Sequence, residues 1–235
     1  MKNFAYCLLF LACVFGFSSC RVNVKTNVRK GARTKVTCNV SDFERINVGA
    51  MCDVWFCQDD STRVEIEGRQ KDLDRLSVRV KGETLYIGYN EKKTGMKNLD
   101  FGGYNNVKVR VYSPDLIALD MKAGGNFESE YLLDTDTLDV RLWGAGNVEF
   151  DKVECDILRL HMQGAGNVEF DKLTAQHSDI RLHGVGNVEV DFENSGTANC
   201  RLDGVGNIEL KGTLKHLKKE IHGVGRIETD RLITK

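Results

Sequence analysis

The sequence predicts an all-β protein built as a β-solenoid, a right-handed parallel β-helix with about twenty residues per turn. Three observations predict it. The nonapeptide GAGNVEFDK runs from Gly144 to Lys152 and recurs letter for letter from Gly164 to Lys172. The second glycines of the GxG pairs, Gly146, Gly166, Gly186, Gly206 and Gly225, are spaced by 20, 20, 20 and 19 residues. AGGNFE (Ala123 to Glu128) fits one more copy upstream. Such a period marks turns that cannot bury their apolar side alone and must stack. Around each pair, apolar and polar residues alternate with period two. Val140 and Leu142 precede the first and Val148 and Phe150 follow it; Leu160 and Met162, then Val168 and Phe170, do the same one copy later. That is strand spacing on both sides of the glycines. Glycine at this density would weaken helices by about 1 kcal/mol each.

Taken from the N-terminus, Ala5 to Phe17 is an apolar run of thirteen behind Lys2, the length of a signal-peptide core and short of the ~20 residues that cross a bilayer. FSSC (Phe17 to Cys20) resembles a lipobox, at which signal peptidase II cleaves before the cysteine and lipid is attached. Phe17 stands where an aliphatic residue is commonest, a departure tolerated in lipoproteins of the Bacteroidetes type. Residues 1–19 therefore read as a signal peptide and Cys20 as the lipidation site. Acyl chains hold such a protein on a membrane through about 0.8 kcal/mol per buried CH2. Residues 20–41 read as a lipidated N-terminus and basic tether, because Arg21, Lys25, Arg29, Lys30, Arg33 and Lys35 all precede the first acid, Asp42. The expected location is the outer membrane, as a lipoprotein on its periplasmic face or at the cell surface.

Residues 42–235 form the solenoid domain, with leading strands over 42–120 and GxGN turns over 121–235. Each turn is expected to be strand, GxG corner, strand and a short return such as DKVECD (Asp151 to Asp156). The glycines, Gly144 and Gly146, Gly164 and Gly166, Gly184 and Gly186, Gly204 and Gly206, are needed for tight corner geometry and positive φ. Asn147, Asn167, Asn187 and Asn207 would then stack as an amide ladder. Arg226 interrupts it near the C-terminus, as terminal repeats do.

These corners resemble the head GIN family of "putative autotransporter adhesins", named for such glycine-rich motifs. The strand-rich stretch from Phe43 to Gln58, and SPDL (Ser113 to Leu116) before the first glycine corner, fit the same family. The resemblance covers roughly Asp42 to Lys235. It implies a β-helix-like fold and an adhesive role.

Composition narrows the partners. A formal net charge of −1 leaves no general field for nucleic acid. Of eight cysteines, Cys7 and Cys13 leave with the signal. Cys38, Cys52, Cys57, Cys155 and Cys200 remain beside Cys20, without a CxxC pair, so a zinc knuckle is not expected. One disulfide involving Cys52 or Cys57 stays open. GAGNVE lacks the third glycine and the following helix of a dinucleotide site. The column Glu149, Glu169, Glu189 and Glu209 places like charges about 4.8 Å apart, which repel by ~1 kcal/mol per neighbour even in water. It is either a solvated face or a weak calcium candidate. Opposite it, Arg141, His161, Arg181 and Arg201, with Trp143 and His183 beside them, form the candidate surface for a glycan or protein ligand. The insert Glu91 to Asn106 carries Phe101 and Tyr104 on a loop. No nucleophile–base pair stands apart from the repeat columns, so neither catalysis nor a cofactor is expected. The reading is a lipid-anchored, non-enzymatic envelope protein that presents a repetitive surface for binding or adhesion. A periplasmic envelope-assembly or stress-sensing module, and a polysaccharide-degrading β-helix enzyme, are the alternatives.

Overall fold

The computed structural model describes residues 19–20, 33–90 and 107–235. The signal segment up to residue 18, the tether over 21–32 and the insert from Glu91 to Asn106 lie outside the described residues. The elements are β1 (Ser19–Cys20), β2 (Arg33–Cys38), β3 (Arg45–Val48), β4 (Asp53–Gln58), β5 (Arg63–Arg69), the single helical turn α1 (Gln70–Leu73), β6 (Leu76–Lys81), β7 (Thr84–Tyr89), β8 (Lys108–Ser113) and β9 (Ala118–Met121). Six long strands follow: β10 (Gly125–Leu142), β11 (Ala145–Met162), β12 (Ala165–Leu182), β13 (Val185–Leu202), β14 (Val205–Ile221) and β15 (Val224–Thr234). All belong to one sheet.

β10 to β15 pair in sequence order, each parallel to the next, and so form the predicted solenoid. The register matches the repeat. Val148 sits beside Val168, Val168 beside Val188, and Val188 beside Ile208. All four are buried. Phe127, Phe150 and Phe170 stack through the interior, with ring centroids 5.3 and 5.0 Å apart, a spacing at which aromatic pairs add stability beyond their area. In the next turn Val190 takes the place of Phe170, and the volume is returned by Phe192, buried one face further on.

The cross-section differs from the expected two strands and two corners. In β11 the alternation of buried and outward residues breaks twice, at Asp151–Lys152 and at Asp156–Ile157, where consecutive side chains both point outward. With the glycine corner, these breaks divide each circuit into three faces. The segment DKVECD, expected as a return, is itself laddered: Val153 pairs with Leu173, Glu154 with Thr174 and Cys155 with Ala175. Leu133, Val153 and Leu173 are buried there. Period two registers only where a stretch is straight, and a face this short does not declare it in sequence.

The leading strands are turns of the same stack. β3 runs parallel to β9, and β4 parallel to the start of β10. One level further out, β7 lies parallel to β3 and β8 parallel to β4. The N-terminal end is closed by antiparallel strands, with β5 on β8, β2 on β5, and β6 on β7. There the parallel turns give way to antiparallel pairing and the repeat stops. The tether is accordingly shorter than residues 20–41: Arg33–Cys38 is a strand, held by Arg33 to Glu67 at 2.7 Å and Lys35 to Glu65 at 2.9 Å. The open disulfide does not form at Cys52 or Cys57. Cys52, Cys57, Cys155 and Cys200 are free thiols, and burial, then the neighbouring Asp53 charge, pushes the Cys52 thiol up to about 12.

Candidate functional site

Stacking turns every outward position into a column, and four groups of columns carry the chemistry. The first is the corner. A Cβ on Gly166 would stand 1.7 Å from the carbonyl oxygen of Gly146, and one on Gly164 would stand 1.9 Å from that of Gly144. Both glycines of the pair are thus required by close approach of the turn below, and Gly166 also has a φ of 143°. Beside them the expected amide ladder forms as far as Asn187, while Asn207 is in register with it but makes no side-chain bond among the described residues. Nδ2 of Asn147, Asn167 and Asn187 donates to Oδ1 of Asn126, Asn147 and Asn167 at 3.0, 3.0 and 3.1 Å. Asp53 ends the ladder by accepting from the Asn126 amide at 3.1 Å. Sequence reading missed this terminator, which occupies the asparagine position of a leading turn.

The second is the arginine face. Arg141, His161, Arg181 and Arg201 are register partners in one column, as expected. Each arginine is tied to a carboxylate. Arg141 reaches Asp139 at 3.3 Å and Asp120 at 3.8 Å. Arg181 holds Asp179 through two hydrogen bonds of 2.9 and 2.7 Å. Arg201 donates to Asp203 at 2.6 Å and lies 3.8 Å from Glu220. His161 sits between Arg141 and Arg181, and its pKa is lowered by burial first and then by Arg181. The column that reads as basic in sequence is therefore a checkerboard, because the acids two residues before Arg141 and Arg181, and two residues after Arg201, lie beside them. Pairs this exposed add little stability, but they remove the free positive charge an acidic ligand would need.

The third is the acid face. Glu128, Glu149, Glu169, Glu189, Glu209 and Glu228 are in register, and Asp151 and Asp171 project from the same face two residues on. Burial, then the surrounding carboxylates Asp171, Glu128 and Asp151, raises the pKa of Glu149. Burial followed by Glu189 does the same to Glu169. Of the column read as a solvated face or a weak calcium candidate, Glu189 and Glu209 are contacted by Lys211, and Arg231 also pairs with Glu209. The group that gathers is instead Glu149, Asp151 and Asp171, whose oxygens lie within 4.8 Å of one another.

Trp143 and His183 lie in the column next to Arg141, on the edge of the glycine corner, which continues as Trp143, Gln163, His183, Asp203 and His222. Nδ1 of His183 and of His222 each stand 3.3 Å from Asp203. The Asp203 carboxyl is held low by its hydrogen bond from Arg201, with both imidazoles assisting. Across the glycines stands a ridge that sequence reading missed. The residue inside GxG changes from Ala145 and Ala165 to Val185, Val205 and Val224, which are 57%, 49% and 70% exposed. Together they bound a shallow groove of ≈ 660 Å³ floored by glycine. The signal was in the motif itself, in the one position the repeat leaves free.

Comparisons with known proteins agree with this architecture. A putative adhesin from Bacteroides fragilis superposes with a TM-score of 0.69 at 25% identity, over 87% of this chain and 98% of that one. A second putative adhesin, from Parabacteroides distasonis, gives 0.51 at 18% identity, over 86% of this chain and 98% of its own. A protein from the same species described as a "putative lipid binding protein" gives 0.54 at 20% identity, over 86% and 96%. These last two show the shared fold. Comparison with curated proteins finds no match. A family profile matches residues 42–191 and 159–235, which takes in every turn of the stack. The chain belongs to the family described as "putative auto-transporter adhesin, head GIN domain".

Proposed function

We propose that this protein is a non-enzymatic adhesin of the cell envelope, held by lipid on Cys20, whose stacked corners present one repeated surface to a large partner. The observation that carries the reading is the in-register stack itself. From β11 to β14 the corner residues meet their counterparts turn after turn, Gly146 on Gly166, Gly186 and Gly206. A surface of this kind offers the same chemistry at regular steps, which suits a repetitive ligand bound weakly at many points. Membership of the "putative auto-transporter adhesin, head GIN domain" family and the likeness to the "putative adhesin" of Bacteroides fragilis support it. The periplasmic and enzymatic alternatives draw on no particular residue of the stack. Beads coated with the full chain are expected to adhere to mucin or epithelial cells above beads coated with an unrelated β-protein. Equal adherence would refute the reading. Cys20→Ser is expected to move the protein from the membrane fraction to the soluble one.

A further inference from the structure

The geometry points to the corner groove as the binding site for a neutral, extended β-linked polysaccharide lying along the solenoid axis. This inference rests on the adhesin reading and names its ligand class. The two walls of the groove differ in chemistry. One carries planar side chains that donate and accept: Gln163, His183, Asp203 and His222. The other is the valine ridge, and the floor is glycine. A pyranose ring has the same division, with hydroxyls around its rim and C–H groups on its faces. Below Gln163 the polar wall continues into Trp143, which is 46% exposed and offers an aromatic face to a C–H surface. Successive rows stand one strand spacing apart, about 4.8 Å. An extended β-linked sugar chain advances by nearly that distance per ring, so each row meets one ring.

Two further observations exclude the competing occupants. A polypeptide strand would bind by adding itself to a free backbone edge. Here the backbone N–H groups of the corner are already taken by the turn below. Gln163 and Gly164 donate to Leu142 O, and Ala165 to Gly144 O. The rows beginning at His183, Asp203 and His222 repeat the pattern. A ligand must therefore be read by side chains. An acidic polysaccharide would need unpaired cations. Arg201, the arginine that reaches this wall, is bound to Asp203 at 2.6 Å, and the two charges cancel.

The test uses the full chain and three probes: cellohexaose, polygalacturonate and an alternating valine–threonine peptide. Titration calorimetry is expected to detect cellohexaose and neither of the others, with a shift in tryptophan fluorescence that Trp143→Ala abolishes. Val205→Lys, which fills the groove from an exposed position, is expected to weaken cellohexaose binding by about tenfold or more. The double variant His183→Ala, His222→Ala is expected to do the same from the opposite wall, and guards against a folding defect in either single design. Binding of polygalacturonate or peptide in place of cellohexaose overturns the inference. So does cellohexaose binding that neither variant changes, and so does no binding at all. Adherence of beads coated with Val205→Lys separates the two readings. If they adhere as the unaltered protein does, the adhesin reading stands and the groove is not its site.

Discussion

A Cβ placed on Gly166 would lie 1.7 Å from the carbonyl oxygen of Gly146, and the residue already holds a φ of 143°. Gly166→Ala must therefore displace backbone on two turns at once. It is expected to cost ~3 kcal/mol or more in chemical denaturation, the range of strained and overpacked substitutions. Gly88→Ala is the control. Nothing lies within 4 Å of a Cβ there, so the change is expected to stay within ~1 kcal/mol and to favour the folded state by restricting the unfolded chain. The asparagines act differently, since they are exposed and hold the corners through side-chain bonds. Asn167 donates at 3.0 Å and accepts at 3.1 Å. Asn167→Ala is expected to cost about 1–2 kcal/mol, two ordinary hydrogen bonds. Loss of neither stability nor cooperativity in that variant would show that the ladder follows the stack and does not help to hold it.

Along an element, the same register that aligns valines inside aligns glutamates outside. Glu149 and Glu169 titrate above the ordinary value of 4.5, so the folded chain holds their protons more tightly than the unfolded one. Stability is then fully present below 4.5 and falls as the pH rises from there through the raised values. Carboxyls held low act in the opposite sense: Asp59, through its bonds from Ser61, and Asp203, through Arg201, lose their contribution as the pH drops below 3.8. Thermal melts are expected to show a Tm that falls as the pH rises from 4.5 through the raised carboxyl values. His161 opposes the fall on approaching pH 6.5, because its lowered pKa adds stability as the proton leaves. Glu149→Gln with Glu169→Gln is expected to flatten that fall. An unchanged slope would mean that mobile cations already screen the column. The effect should weaken toward β14, where Lys211 answers Glu189 and Glu209.

At the scale of the whole molecule the stack is nearly one-dimensional, each turn meeting only its neighbours. Residues 165–184 span one full period, and removing them would set the Ala145 row against the Val185 row in the register that Ala165 and Val185 now share. That deletion is expected to leave a cooperatively unfolding protein with a native-like β spectrum by circular dichroism. Deleting only 165–174 shifts the inward residues onto the wrong faces and is expected to abolish the folded state. Folding of both deletions to equal stability would mean that turns are not the unit of the structure. The antiparallel strands β2, β5 and β6 belong to this scale too, because they cover the last parallel turn at one end of the ladder and the repeat stops there.

What the sequence determined by itself is whatever repeats. The period of twenty, the inward valines and phenylalanines, the glycine pairs and the asparagine ladder are all written several times over, and repetition with alternation leaves one architecture that satisfies them. The tertiary structure alone decided what depends on proximity between unlike residues. Asp139 and Asp179 neutralise Arg141 and Arg181 because they share their face, Asp53 ends the ladder because β4 lies beside β10, and Lys211 relieves Glu189 from the following turn. DKVECD became a third face because its backbone pairs with the next copy, a fact that five or six residues of pattern cannot announce. The groove arose the same way: Val185, Val205 and Val224 are scattered in sequence and contiguous in space, and a wall exists only once the turns are stacked.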